Sequence, residues 1–321
     1  MSCVKSDRIY DGAPNAIEFD PVMSAMAKSI VTGTQYPGTV PFGVYASYSS
    51  NPAGEWPSGS TQSYFENTEF VFKSDNKYGG SPSVYWPLSG SLVFAGYSPY
   101  YPDSGSVSAT FDAATKTLSI TNFVSDGRTD LMYFLPTLSL SGNYVGVLDK
   151  KNAVPVQFRH ALSLISFEIK ADPLDDGRVK LETVTLKNAN EKGDFSATCA
   201  SSSSAGTLTW KNQTKISDSG YAVASSSLPK VLSSSSALTT QDLFVPGSNL
   251  ADSPVVEFIY DITYNTIDGS GTVVTVTKED ITSSFTIKDY TTEWGAGKKY
   301  VYGVTIGLNR IEFEKLTADW N

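Results

Sequence analysis

The stretch Trp294–Trp320, WGAGKKYVYGVTIGLNRIEFEKLTADW, decides the class of fold. From Tyr300 to Leu308 every second residue (Tyr300, Tyr302, Val304, Ile306, Leu308) is apolar or aromatic, with Val301, Gly303, Thr305 and Gly307 between them. Side chains alternate across a strand, so this spacing predicts a strand with one buried face. Asn309-Arg310 interrupts the alternation, and Ile311, Phe313 and Leu316 resume it among charges. A tight turn there returns the chain as an antiparallel neighbour, and the segment reads as the closing hairpin of a β-sandwich.

Composition extends that reading to the whole chain. Its 321 residues are 40% hydrophobic, enough to bury a substantial core, and the length favours two domains. Turn residues recur throughout, and 18 Tyr and 16 Phe complete an all-β profile. A net charge of −9 with 24 scattered Lys and Arg argues against a nucleic-acid partner, which needs a concentrated basic surface. The sequence holds no uninterrupted apolar run long enough for a transmembrane helix and no complete signal peptide.

In chain order, residues 1–15 form a polar tail and residues 16–23 (AIEFDPVM) the first strand. Its apolar side chains are Ile17, Phe19 and, past a break at Pro21, Val22 and Met23; the proline is expected to place the strand at an edge or a bulge. A connector, Ser24 to Gln35, carries a single cation, Lys28. Strand signals follow at 40–48, 68–72, 84–99 (VYWPLSGSLVFAGYSP), 109–111, 117–123 and 131–134, a spacing typical of sandwiches. The polar run Asp149–Asn152 marks the boundary between an N-terminal domain, 1–152, and a C-terminal domain, 153–321. Beyond it, Val154–Ile169 (VPVQFRHALSLISFEI) holds apolar residues in two phases, and a bulge or phase change is expected near Leu164-Ile165.

Few residues suggest chemistry, and no enzyme, cofactor or metal is expected. The single histidine, His160, stands between Phe158 and Leu162 on an inward phase and reads as a satisfied core imidazole. With one His and two distant Cys, a zinc site lacks ligands. Asp172–Gly177 (DPLDDG) lacks the ligand spacing of a calcium loop and reads as a solvated turn. Asn212-Gln213-Thr214 fits a glycosylation acceptor. Trp56, Trp86, Tyr100 and Tyr101 offer faces for sugar rings, or else pack in the core.

Cys3, preceded by Ser2, has two readings: the lipid-bearing residue of a lipoprotein cut just before it, or an ordinary thiol in an N-terminal tail.

Four segments in order, VYWPLSGSLVFAGYSP, TDLMYF, VQFRHALSLISFEI and the C-terminal hairpin, resemble the Bacteroidales fimbrillin-like (Mfa-like) pilin family. The resemblance implies two transthyretin-like β-sandwich domains in tandem, export as an outer-membrane lipoprotein, and assembly with other fimbrial subunits into an adhesive pilus at the cell surface. It also implies maturation: a trypsin-like protease cuts after a basic residue beyond the first strand, and that strand is lost. By position the residue here is Lys28, where the family's known members have Arg. Arg8 lies upstream, and a cut there frees the tail from its lipid without opening the sandwich. The membrane is then reached only through the lipid anchor, and the adhesion target is a host or bacterial receptor or glycan.

Removing an interior strand leaves unpaired backbone groups and an apolar groove, a template for another chain. If Ile17, Phe19, Val22 and Met23 form the plug, burial worth roughly 6–12 kcal/mol is forgone. A last strand at 311–320 that belongs to the second domain points to a tip subunit, whereas the same segment used as a donor points to a stalk subunit. The alternative from a different class is a monomeric surface lipoprotein that binds glycans.

Overall fold

The computed structural model describes residues 15–23, 36–50, 62–136, 147–148, 152–199, 207–223, 228–251 and 253–317. The strands of the first half are β1 (Glu18–Met23), β2 (Phe42–Ser49), β3 (Gln62–Ser74), β4 (Lys77–Ser81), β5 (Ser91–Ser98), β6 (Ser108–Asp112), β7 (Thr117–Val124), β8 (Met132–Phe134) and β9 (Val154–His160). Then follow β10 (Leu162–Ala171), β11 (Val179–Lys187), β12 (Asn190–Thr198), β13 (Thr207–Lys215), β14 (Tyr221–Ala222), β15 (Lys230–Val231), β16 (Leu238–Thr239) and β17 (Leu243–Pro246). The chain ends in β18 (Val255–Ile267), β19 (Val273–Thr286), β20 (Lys299–Ile306) and β21 (Ile311–Thr317). The fold is all-β.

Among the described residues, the strands β1-β4-β3-β2-β5-β8-β9 close into a barrel. Its interior is aromatic: Phe19, Phe42, Phe70, Tyr78, Phe94, Phe134 and Phe158 are buried there together. The opposite phase of β2, β5 and β8 supplies Tyr45, Tyr97 and Tyr133, which join Leu118, Ile120 and Phe195 in a second core. That core packs the barrel wall against the sheet β13-β12-β7-β6. Two more sheets, β16-β10-β20-β21 with β17 on β10, and β14-β11-β18-β19 with β15 on β11, enclose a third core around Phe167, Phe258, Tyr302 and Phe313.

The closing hairpin forms as its alternation predicts: β20 and β21 pair antiparallel from Ile306↔Ile311 outward. Phe313 is buried, 4.9 Å from Phe285 and 5.2 Å from Tyr302 between ring centroids. Strand pairing also runs across residues 149–152. β9 pairs with β8 and with β1, and β12 pairs with β7, so segments from both sides of that position share sheets.

Two local expectations need correction. No bulge interrupts Leu164-Ile165: β10 pairs with β20 in unbroken parallel register from Leu164↔Lys299 to Ala171↔Ile306. The strand is central and covered on both faces, so its two apolar phases are two faces of one strand rather than a slip. The segment Asp172–Gly177 is a solvated turn only in part: Pro173, Leu174, Asp176 and Gly177 are exposed, but Asp172 and Asp175 are buried. Asp172 accepts hydrogen bonds from the Leu174 amide and from Arg310 Nε, each at 2.9 Å, and Asp175 Oδ2 accepts from the Leu308 amide at 2.7 Å. These carboxylates hold the β20–β21 turn in place.

Candidate functional site

The strongest candidate is the place β1 occupies. Along Ile17-Glu18-Phe19-Asp20-Pro21-Val22-Met23, Ile17, Phe19, Pro21 and Met23 are buried, with Asp20 and Val22 exposed between them. The expectation that Val22 joins the plug is therefore wrong; it is 38% exposed, and Pro21 takes the inward place. The proline causes no break in phase because its ring already holds φ in the extended range.

Three neighbours hold the strand. Residues 15–17 meet 84–86 antiparallel, with the Ile17 amide donating to Val84 O at 2.8 Å and the Trp86 amide to Asn15 O at 3.2 Å. Glu18 and Phe19 pair antiparallel with Gly79 and Tyr78 of β4. Phe19 to Met23 pair parallel with Val154 to Phe158 of β9. β4 pairs no further than Phe19, and there Asn76 Nδ2 donates to Pro21 O (3.3 Å) and to Asp20 Oδ1 (3.0 Å). A backbone N–H on that side would face a strand that has already run out, which is why proline is tolerated between two partners.

Phe19 is the centre of the arrangement. Its ring lies 4.8 Å from Phe70, 5.1 Å from Phe94, 6.0 Å from Phe42 and 6.1 Å from Phe134, mostly edge to face, the geometry aromatic quadrupoles favour. Burial of Ile17, Phe19 and Met23 contributes roughly 4.5–9 kcal/mol. That range overlaps the whole stability of an ordinary domain.

Past the connector the chain re-enters the same core at Tyr36. Its ring packs 4.7 Å from Phe158 and 5.4 Å from Tyr78, and its hydroxyl donates to Val40 O at 3.1 Å and shares a hydrogen bond with Ser98. Thus the described residues on both sides of 24–35 are anchored inside the barrel.

Of the residues singled out in the sequence, Ile17, Phe19 and Met23 come together here. Cys3, Arg8, Lys28 and Trp56 lie outside the described residues. Trp86 is buried with its ring 5.8 Å from Phe94, which removes it as a sugar platform, and the half-buried Tyr101 has one face stacked on Tyr97 at 6.0 Å. His160 Nδ1 lies 2.5 Å from Asp130 Oδ2, where β8 and β9 meet. Burial pushes the Asp130 carboxyl above the usual range, opposed by the neighbouring His160. Asn212 donates to Asp194 at 2.7 Å. Among the described residues no group of three His, Cys, Asp or Glu is placed to hold a metal ion, and no helix is long and apolar enough to cross a membrane. Sequence reasoning missed Tyr36, Asn76 and β9 as parts of this site, and only the unbroken alternation through Pro21 hinted at its full length.

Comparison with known proteins places this geometry. No curated protein matches the chain. Among solved structures it is similar to a fimbrial protein from Bacteroides vulgatus, at 19% identity over 96% of this chain and 100% of that one, with a TM-score of 0.57. It also resembles a putative cell adhesion protein from Bacteroides ovatus (12% identity, 97% and 99% of the two chains, TM-score 0.55). A putative cell adhesion protein from Bacteroides uniformis aligns at 17% identity over 96% and 99%, with a TM-score of 0.50. These likenesses establish the fold. The fimbrillin-like family profile matches residues 31–320, nearly the whole chain downstream of β1, and on that match this protein belongs to the fimbrillin-like family.

Proposed function

We propose that this protein is a fimbrial subunit of the cell surface that matures by losing β1 and assembles by accepting a partner's strand in its place. The observation that carries the reading is the position of β1: it closes the barrel, puts Phe19 at the centre of the aromatic core, and is joined covalently to the remaining staves only through residues 24–35. The connector contains one basic residue, Lys28, which is the proposed cleavage site. Once the connector is cut, β1 is held only by non-covalent contacts, and its departure frees the edges of β4 and β9 above an apolar trough. A free edge over such a trough is completed by an extended segment from another chain, the mode known as β-augmentation. Supporting the reading, the region shared with the family begins at residue 31, beyond β1 and Lys28. Anchorage through a lipid on Cys3 belongs to the same proposal, as does adhesion as the downstream role.

Limited trypsin digestion followed by mass spectrometry and sizing tests it. The expected result is an early cut after Lys28, uptake of an added complementary strand by the cut chain, and resistance of Lys28→Ala at this position. A chain cut first elsewhere, or a cut chain that never releases its first strand, contradicts it.

A further inference from the structure

The tripeptide Ile-Glu-Phe occurs twice, at 17–19 leading into β1 and at 311–313 in β21. In both strands the phenylalanine sits in an aromatic nest: Phe19 as described, and Phe313 with Tyr290 at 4.6 Å, Phe285 at 4.9 Å and Tyr302 at 5.2 Å. The likeness continues outward, where Asp20 corresponds to Glu314 and Val22 to Leu316, the latter two 38% and 37% exposed. It fails at the next two inward places. Lys315 stands where β1 has Pro21, and Thr317 where β1 has Met23.

The two environments differ in what they tolerate there. In the C-terminal sandwich β21 is the outer strand of its sheet, and Lys315 is exposed, its Nζ 5.3 Å from the Tyr300 ring. In the barrel Pro21 is buried, with Val156 as its register partner in β9. An ammonium at that place, buried in the same phase as Phe19 and Met23 of the aromatic core, is stripped of water, which is strongly unfavourable.

We propose that the groove vacated by β1 selects its occupant at two places, requiring an aromatic ring at the Phe19 position and an uncharged apolar residue at the Pro21 position, and so rejects β21 of a second copy of this chain. The proposal rests on the strand-exchange reading above. The occupant is then an extended segment of a partner chain, of the form apolar-x-Phe-x-apolar-x-apolar, that runs parallel to β9. Phe19 fixes the first requirement because four phenylalanine rings surround one ring-sized space. Pro21 fixes the second because it is buried in the same phase as Phe19 and Met23.

The test uses the full chain, cut within 24–35, and fluorescently labelled peptides followed by anisotropy at sub-denaturing urea. The peptide 15–23 (NAIEFDPVM) is expected to exchange in, and its Phe19→Ala form to bind at least ~10-fold more weakly. The peptide 309–317 (NRIEFEKLT) is expected to bind ~100-fold more weakly than 15–23, and to recover most of that loss when Lys315→Pro and Thr317→Met are introduced together. Binding of unsubstituted 309–317 within about threefold of 15–23 overturns the selectivity and leaves strand exchange intact. Failure of 15–23 itself to enter overturns strand exchange, and the selectivity with it.

Discussion

The ring of Phe19 stands edge-on to that of Phe70, with centroids 4.8 Å apart and planes at 79°, at the centre of a barrel whose other walls come from chain segments up to residue 160. A residue so near the start of the chain thus completes a core assembled from much later strands. Truncating it leaves a cavity that four phenylalanines line and cannot readily fill. Phe19→Ala is expected to destabilise the intact chain by about 3–5 kcal/mol. Val22→Ala, one face over and exposed, is expected to cost less than about 0.5 kcal/mol. Urea unfolding of the two variants checks the pair; equal effects contradict the inward–outward assignment.

Replacing Pro21 with lysine in the intact chain imitates the mismatch that β21 presents. Pro21→Lys is expected to lower stability far more than Val22→Lys, because only the first puts a charge at a buried, inward place of β1. Thermal unfolding monitored by circular dichroism reads the difference, and similar melting temperatures for the two variants would count against the selectivity.

How much of this was legible in the sequence depends on the range of the contacts. Alternation along 16–23 and 300–313 is local, so both terminal strands and the burial of Phe19 and Phe313 could be read from it. Pro21 misled the reading, since taking it as a break turned Val22 inward. What makes the proline acceptable is the end of β4 and the amide of Asn76, a residue far along the chain. The parallel pairing of β1 with β9 joins residues more than a hundred apart and leaves no periodic trace. For β10, two buried faces look like a slipped single face, because periodicity records burial and not which core provides it.

Buried phenols make a third prediction. Burial pushes Tyr78 and Tyr101 up to about 12, and raises Tyr36, Tyr97, Tyr221 and Tyr302 still further. In the unfolded chain these groups ionise near 10. Their contribution to stability is complete below that pH and is lost as pH rises toward the folded values. The phenolate absorbance of these buried tyrosines is expected to appear in one cooperative step coincident with unfolding, after the exposed tyrosines have begun to titrate. A smooth titration of all tyrosines with the fold intact would contradict the burial described.

On the acid side the sign reverses. Asp194 is held below the usual range chiefly by the Asn122 amide and then by Asn212, Asp172 by the Leu174 amide and then by Arg310, and Asp268 by Ser270. Carboxylates with depressed values bind protons more readily when unfolded, so their contribution is present above the unfolded value, about 4, and fades as pH falls below it. Stability is expected to be level from neutral pH down to about 5 and to drop beneath 4. Denaturant midpoints across that range check it, and a midpoint that rises on acidification would refute it.

Assembly by strand exchange requires that β1 be an exchangeable stave. Hydrogen exchange of the β4 and β9 amides, read by mass spectrometry on the full chain cut after Lys28, measures this directly. Protection of those amides in 77–81 and 154–160 that face β1 is expected to be lost when the first strand is washed out in mild urea and to return when the peptide 15–23 is added. Protection that stays unchanged after the strand has gone would mean that the barrel closes without it.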